Sequence, residues 1–353
     1  MKRLIVAVDG TWHARTQAYP TNVVKLAQRI APADGQGNRQ SVRYHEGIGV
    51  SPNFWKRFAS AVFGAGVVEH IRDVYLFLVD NYEVGDEIWF FGFSRGAFIV
   101  RSVAGLIRNV GLLRRDHAPL YDRAYELYRR RGEAAHPHSA TAEAFRAQYA
   151  HEPRIRFIGA WETIGTLGIP ATPLRTLSRR RHQFHDVELS GRVDFAYHAL
   201  AIDEKRKPFE PSLWKRDDPS KTPDQVLEQA WFPGVHGDIG GGYADAGLSD
   251  ASLLWMMDGA QRAGLAFTDL DGLGASCTAE THESMTLGYR LLGDGTRAIG
   301  KMNPGGNERL APCTEKRRRE LGYNPKNLAA FLQTTLPESE WPCTGTTASR
   351  SSW

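Results

Sequence analysis

The feature that most constrains this chain is the turn Gly92-Phe93-Ser94-Arg95-Gly96, which lies between a strand pattern and a helical pattern. Residues 87–91 are strand-like, and residues 97–110 form a helical stretch. The two glycines let the backbone turn sharply and let neighbouring elements approach closely. A G-x-S-x-G turn in this context holds its serine in a strained conformation with the hydroxyl pointing into a site. Ser94 is therefore predicted to be a nucleophile.

The rest of the chain alternates between short apolar runs and helical stretches. The runs are rich in β-branched and aromatic residues and cover residues 4–8, 42–45, 88–91, 155–160, 195–201 and 230–232. Between residues 67 and 82, apolar positions repeat at helical spacing, which predicts a buried helix ahead of the strand before Ser94. Such alternation predicts an α/β fold with a mostly parallel sheet and helices on both faces.

The length of 353 residues fits one α/β domain with insertions. We assign residues 1–335 to this domain and residues 336–353 to a flexible tail, because the tail is rich in Thr, Ser and Pro. Two segments with little continuous apolar character cover residues 111–150 and 170–190 approximately. We interpret both as helical insertions that form a cap over the carboxyl edge of the sheet.

Charge and hydropathy exclude two classes of protein. The formal net charge of +4, from 44 Lys and Arg against 40 Asp and Glu, falls far short of the concentrated charge of nucleic-acid binders. The first apolar run is too short for a signal peptide, and no segment reaches the roughly 18 apolar residues of a spanning helix. These patterns predict a soluble, cytoplasmic protein.

The cysteines are Cys277, Cys313 and Cys343. They are odd in number and form no C-x-x-C pair, so we expect neither a structural zinc site nor a disulfide framework. This pattern is typical of a chain that folds in a reducing compartment.

A nucleophilic serine needs a general base, and His236 is the best placed of the 12 histidines. It follows the predicted strand 230–232, in a loop that continues through the glycines at 240–242. A histidine at the carboxyl end of a parallel strand can reach the same edge as Ser94. The alternative is a histidine that only ties this loop together.

Glu162 is the first choice for the acid that orients the histidine. It leaves the carboxyl end of a predicted strand and lies between Ser94 and His236 in sequence, in the order expected of α/β-hydrolases. The alternatives are Asp203, Asp238 and Asp9. Asp238 is only two residues from His236, so we expect it to pin the loop through backbone N–H groups.

The turn Asp9-Gly10-Thr11 follows the first predicted strand and has two interpretations. Aspartyl phosphatases carry a similar Asp-Gly-Thr turn, but their nucleophilic aspartate lies two residues earlier, where this chain has Ala7. We therefore assign the turn to an oxyanion hole. The N–H of Gly10 or Thr11 would be the second donor beside the N–H of Arg95, and Asp9 would shape the turn.

Five ordered motifs resemble those of a known family. They are Asp9-Gly10-Thr11-Trp12, Gly92-Phe93-Ser94-Arg95-Gly96-Ala97, Trp161-Glu162-Thr163-Ile164-Gly165, His198-Ala199-Leu200-Ala201-Ile202-Asp203-Glu204 and Trp231-Phe232-Pro233-Gly234-Val235-His236. The chain resembles the uncharacterised α/β-hydrolase domain family that includes the type VI secretion phospholipase effectors of the first lipase class. The resemblance implies an α/β-hydrolase-like fold, with the nucleophile at Ser94 and the histidine at His236. Its acid falls on Glu162, where the family usually has aspartate.

These observations predict a serine esterase or phospholipase that works through an acyl-enzyme, without a metal or an organic cofactor. The expected substrate is a carboxylic ester. The resemblance implies a phospholipid, and it is compatible with delivery of this protein by a secretion system. The alternative is a catalytically weak binding or toxin-associated module that keeps the fold.

Two segments suit transient contact with a membrane surface. Phe54, Trp55 and Phe58 lie beside two cations, and residues 179–181 are three arginines that would attract anionic head groups. The alternative is that the aromatic side chains pack on the core while the arginines are solvated.

Overall fold

The computed structural model describes residues 1–10, 13, 15–47, 62–130, 136–164, 188–216, 222–286, 295–300 and 307–334. The strands in this part of the chain are β1 (Lys2–Val8), β2 (Arg39–His45), β3 (Glu87–Phe93), β4 (Leu112–Leu113), β5 (Ala150–His151), β6 (Ile155–Trp161), β7 (Glu188–Leu189), β8 (Val193–Ala201), β9 (Lys215–Arg216), β10 (Val226–Phe232) and β11 (Glu308–Leu310). The α-helices are α1 (Asn22–Arg29), α2 (Val62–Asn81), α3 (Arg95–Val110), α4 (Tyr121–Arg129), α5 (Ala140–Tyr149), α6 (His236–Gly240), α7 (Gly247–Arg262), α8 (Pro312–Leu321) and α9 (Lys326–Thr334). Short 3-10 helices cover Arg115–Leu120 and Lys207–Phe209.

Seven strands form the central sheet of the described residues, in the order β11-β10-β8-β6-β3-β1-β2. Every neighbouring pair in this sheet is parallel. The chain passes from β1 outward to β2, crosses back over β1 to β3, and then continues toward the opposite edge. The carboxyl ends of β1 and β3 therefore flank the point where the strand order reverses, which is where open α/β sheets bind their ligands.

Helices cover both faces of this sheet. On one face, β1 side chains such as Leu4 and Val6 pack with the apolar stripe of α2 and with α3. On the other face, Ile5 and Ala7 of the same strand pack with α1 and α7. Alternate residues of one strand are thus buried on opposite faces, which explains why its sequence is a continuous apolar run. The predicted α/β fold is confirmed.

The six predicted strands all lie in the central sheet, and the predicted helix before Ser94 is α2. The sequence prediction missed β11, which has three residues and pairs with β10 at the edge of the sheet. Such a short strand has too few residues to show a periodic pattern.

The first insertion lies elsewhere than predicted. It begins where α3 ends and leads into β6, so both of its ends lie at the amino edge of the sheet, opposite the Ser94 turn. Its helices pack against α3, and the Arg146 guanidinium donates to the carbonyl of Asn109 at the end of that helix (2.8 Å). The prediction of a cap over the carboxyl edge is therefore wrong for this segment. Most of the second insertion and the tail lie outside the described residues, as do residues 54–58 and 179–181.

Cys277 and Cys313 form a disulfide, with their Cα atoms 5.1 Å apart. The expectation that the cysteines form no disulfide framework did not allow for this bond, and the argument for a reducing compartment loses its basis. The two residues are 36 positions apart, and only the fold brings the segment after α7 against the start of α8. None of the helices in the described ranges is long and apolar enough to cross a membrane.

Candidate active site

Ser94 lies between β3 and α3 in a backbone conformation that few non-glycine residues adopt (φ 57°, ψ −117°). The glycines on either side permit the turn, because a Cβ at Gly92 would lie 2.6 Å from the amide nitrogen of Ala97 and one at Gly96 only 2.0 Å from the carbonyl oxygen of Val8. The amide of Ser94 donates to the carbonyl of Trp161 at the end of β6 (2.9 Å). Strain of this kind persists only where the surrounding structure holds it, and it is concentrated at functional sites.

Glu162 lies at the carboxyl end of β6, beside Ser94 in the sheet, and it also has a positive φ (49°). Among the described non-glycine residues, only these two have a positive φ. The Glu162 amide donates to the carbonyl of Ala199 in β8 (2.9 Å), which keeps this residue in register with the neighbouring strand. Two strained residues thus end two adjacent strands at the same edge of the sheet.

His236 begins the short helix α6 after β10, and its Nδ1 lies 3.1 Å from Oε2 of Glu162. An ionised carboxylate can only accept hydrogen bonds, so Nδ1 carries the proton and Nε2 is left as the basic nitrogen. The imidazole packs against two phenyl rings, with centroid distances of 4.7 Å to Phe93 and 4.9 Å to Phe209. Phe93 directly precedes Ser94, so the histidine ring lies next to the turn.

The Glu162 carboxylate accepts hydrogen bonds from two further groups. Arg297 binds it with both guanidinium nitrogens, Nη1 to Oε1 and Nη2 to Oε2, each at 2.8 Å. The amide of Ala201 donates to Oε1 at 2.6 Å. Burial alone would raise the pKa of Glu162, but the charge of Arg297 and the hydrogen bond from His236 outweigh it and hold the pKa well below its usual range. Glu162 is therefore ionised although it is almost completely buried.

Burial also acts on the histidine. It lowers the pKa of His236 below the ordinary imidazole value, although the hydrogen bond and negative charge of Glu162 act in the opposite direction. A lowered pKa keeps the imidazole neutral at physiological pH. The ring can then accept a proton.

The first turn after β1 is built around the side chain of Asp9. The Gly10 amide donates to Oδ1 of its neighbour Asp9 at 2.6 Å. Oδ2 of Asp9 accepts from Thr21, the N-cap of α1, at 2.6 Å and from Tyr44 at 2.8 Å. The Asp9 side chain thus holds the turn, and the Gly10 amide points to this carboxylate in the structure. The role of Gly10 as an oxyanion donor stays a prediction. Thr11 lies outside the described residues, and the Arg95 amide lies in the first turn of α3.

The alternative acids bind elsewhere. Oδ2 of Asp203 accepts from the amide of Gly234 and from the hydroxyl of Tyr323, both at 2.7 Å. Oδ2 of Asp238 accepts from the amide of Val235 at 2.9 Å, which is the pinning role expected from the sequence. Both residues hold the loop that carries His236.

Two buried charged residues near the histidine had not been predicted. Glu204 accepts from the backbone amide of His236 at 3.2 Å and binds Arg206 through both carboxylate oxygens. Arg297 binds Glu162 as described above. Glu204 is part of a motif quoted in the sequence analysis and could have been found there. Arg297 lies in a stretch without a local pattern, so no sequence signal pointed to it.

The fold and this arrangement together define the class of protein. A parallel α/β sheet has a strained serine turn after β3, and a histidine after β10 meets a carboxylate after β6 at the same edge. This is an α/β-hydrolase-like protein. The chain belongs to the family of the type VI secretion system (T6SS) phospholipase effector Tle1-like catalytic domain, whose model matches residues 2–259.

Comparison with known proteins also gives a similar sequence and similar solved structures. The uncharacterized protein YEL023C of Saccharomyces cerevisiae is 28% identical over 228 residues, which are 59% of this chain and 32% of the yeast protein. The alignment thus spans about a third of that relative's length. A crystal structure of an uncharacterized protein from Pseudomonas aeruginosa has a TM-score of 0.47 at 18% identity and covers 75% of this chain and 46% of that one. The Tle1 effector bound to the VgrG spike of the type 6 secretion system has a TM-score of 0.46 at 15% identity, with coverages of 76% and 74%.

Proposed function

We propose that this protein is a serine hydrolase that cleaves carboxylic esters, with a lipid or phospholipid as its substrate. Ser94 is the nucleophile, His236 the general base and Glu162 the acid that orients the base. The observation that carries the proposal is the 3.1 Å contact between Nδ1 of His236 and Oε2 of Glu162, at the edge where Ser94 has its strained backbone. This contact leaves Nε2 of the imidazole as the proton acceptor.

The reaction proceeds in two halves. In the first half, Oγ of Ser94 attacks the ester carbonyl carbon and gives its proton to Nε2 of His236. The tetrahedral oxyanion is stabilised by the Arg95 amide at the N-terminus of α3, aided by the helix dipole. The intermediate then collapses to an acyl-enzyme, and the departing alcohol takes the proton from the imidazole.

In the second half, a water molecule gives a proton to His236 and attacks the acyl carbon. Collapse of this second intermediate releases the carboxylic acid and returns the proton to Ser94. Glu162 remains ionised throughout and stabilises the imidazolium that forms in each half. The family description supports a phospholipid as the ester, because it names phospholipase effectors. Contact with a membrane surface and delivery by a secretion system stay predictions that go with this substrate.

A serine-directed fluorophosphonate probe tests the mechanism, and a panel of short-chain esters, long-chain esters and phospholipid vesicles tests the substrate. We expect Ser94→Ala to lose labelling and nearly all hydrolysis. The matched control is Ser102→Ala, because Ser102 is a buried serine of α3, the helix that follows Ser94. Labelling and hydrolysis that survive in Ser94→Ala would contradict the proposed nucleophile. Absence of both in the wild type would favour the catalytically weak module. Hydrolysis of short esters alone would limit the proposal to a general esterase.

A further inference from the structure

Arg297 connects three parts of the proposed site, and its side chain is only 3% exposed. Besides the two oxygens of Glu162, its Nη1 donates to the carbonyl of Ala201 at the end of β8, and its Nη2 donates to the carbonyl of Phe209, each at 2.7 Å. Phe209 packs edge-on against the ring of His236. The guanidinium therefore contacts the acid directly and also holds the backbone of a residue that packs against the base.

The contact of Arg297 with Glu162 matters because the Glu162 carboxylate and the His236 imidazole titrate as a pair. The pair is ready to act when the carboxylate is ionised and the imidazole is neutral, which gives it a net charge of −1. Such a charge is expensive to bury unless a cation compensates it. The guanidinium at 2.8 Å from both carboxylate oxygens is that cation.

The other charged groups around the pair compensate each other or are neutral. Glu204 faces His236 through the backbone amide of the histidine, and Arg206 neutralises this carboxylate at 2.8 Å. His198, whose Nε2 accepts from the amide beside Glu162, is kept neutral because burial lowers its pKa to about 3. The charge of Glu162 is therefore balanced by Arg297.

We propose that Arg297 is a positioning residue of the active site, which orients Glu162 toward His236 and supplies the positive charge that lets this pair lose its last proton. The inference rests on the proposed function, since it assumes that His236 acts as the base for Ser94. Without the guanidinium, the pair keeps its last proton to a higher pH, and the base is available only in more alkaline solution.

The test measures how the rate constant for fluorophosphonate labelling of Ser94 depends on pH in the full chain. The labelling rate rises with the fraction of active base and needs no knowledge of the natural substrate. Arg297→Met removes the charge at similar length, and Arg297→Lys keeps the charge but loses the two-pronged contact. The matched control is Arg317→Met, because Arg317 is a buried arginine whose Nη1 donates to the carbonyls of Cys277 and Ala279 rather than to Glu162.

For Arg297→Met we expect the acidic midpoint of the labelling profile to move to higher pH by roughly one unit, with a plateau lowered roughly tenfold or more. Arg297→Lys should keep the midpoint of the wild type and lose part of the plateau. Arg317→Met should leave the midpoint unchanged. A lower plateau with an unmoved midpoint in Arg297→Met would overturn the inference, since a purely structural role predicts that result.

A second variant keeps the test decisive. If circular dichroism shows that Arg297→Met does not fold, Arg297→Gln is used, which is also neutral and retains amide donors for the carbonyls of Ala201 and Phe209. Its midpoint should rise in the same way. An unmoved midpoint in Arg297→Gln would overturn the inference while leaving the proposed function intact. No Ser94-dependent labelling at any pH would overturn both.

Discussion

Glu162 differs from an ordinary surface carboxylate because its length and its backbone both serve the contact with His236. The positive φ turns the residue back over the end of β6, and the side chain then reaches Arg297, the Ala201 amide and the imidazole together. An aspartate at this position is one methylene shorter and cannot keep all of these contacts without movement of the backbone.

At this position we predict that Glu162→Gln nearly abolishes ester hydrolysis, whereas Glu162→Asp keeps measurable activity. A carboxamide cannot compensate the imidazolium charge, and its NH2 group faces the guanidinium of Arg297 or the N–H of His236. The expected loss for Glu162→Gln is roughly 10⁴-fold in kcat, as found when a triad carboxylate becomes an amide. Steady-state kinetics with a soluble ester measure it.

The control for this prediction is Asp203→Asn. The carboxamide oxygen of asparagine can still accept the hydrogen bonds from Gly234 and Tyr323, so we expect kcat to stay near that of the wild type. If Asp203→Asn were inactive and Glu162→Gln active, the acid would be Asp203 and the role assigned to Glu162 would be wrong.

At the scale of secondary structure, the contact between β1 and the first turn of α3 positions the serine. A Cβ at Gly96 would lie 2.0 Å from the carbonyl oxygen of Val8 and 2.7 Å from that of Asp9. Both of these atoms belong to backbone, which cannot rotate away as the end of a flexible side chain could. The glycine therefore sets how closely the helix that follows Ser94 approaches the end of β1.

We predict that Gly96→Ala lowers the free energy of unfolding by more than about 2 kcal/mol and reduces activity in the molecules that remain folded, because α3 must move away from β1. Urea unfolding and the specific activity of the folded fraction measure the two effects. Gly35→Ala is the control, since a Cβ at Gly35 would meet nothing within 4 Å. Equal stability of the two variants would contradict the close approach of α3 to the end of β1 at Gly96.

The disulfide between Cys277 and Cys313 is a second link between elements. We predict that Cys277→Ser lowers the free energy of unfolding by about 2 to 4 kcal/mol in a non-reducing buffer, because the cross-link closes a long loop in the unfolded chain. Thermal unfolding with and without a reducing agent measures the effect. Cys343→Ser should retain the stability of the wild type and its sensitivity to reductant. Insensitivity of the wild type to reductant would contradict the link.

The elements that could be predicted from the sequence are those whose pattern lies within a few consecutive residues. The six strands and the serine turn could be predicted because apolar runs and the two glycines each leave a pattern within a few residues. Contacts such as Arg297 with Glu162 could not be predicted, because nothing near residue 297 indicates its partner. The cap was placed on the wrong edge although the sequence already put the insertion after the helix that follows the serine turn. A helix that links two parallel strands returns the chain to the amino edge of the sheet, and this rule was not applied to residues 111–150.

For the molecule as a whole, buried histidines make the stability depend on pH. Burial lowers the pKa of His198 to about 3 and that of His45 to about 4. Above pH 6.5 both side chains are neutral in the folded and unfolded states. Below it, the unfolded chain binds protons that the folded protein does not, so stability falls as the pH decreases.

We predict that the free energy of unfolding falls between pH 6.5 and about pH 3, and that His198 alone contributes about 1.4 kcal/mol per pH unit to this fall. Urea unfolding at several pH values measures the slope. His198→Gln keeps an acceptor for the Thr163 amide but cannot be protonated, so its slope should be shallower. The same slope in both proteins would show that His198 does not cause the acid sensitivity.

The ion pair between Glu162 and Arg297 joins residues that are 135 positions apart in the chain. Contacts over such separations are slow to form, because closing the intervening loop costs chain entropy. During synthesis the serine turn and the carboxylate leave the ribosome long before the guanidinium that neutralises the carboxylate. Glu162 must therefore remain hydrated or protonated in the nascent chain. The proposed nucleophile can thus be synthesised well before its base has the cation that favours its neutral form, so full activity near neutral pH would appear only when synthesis has passed residue 297.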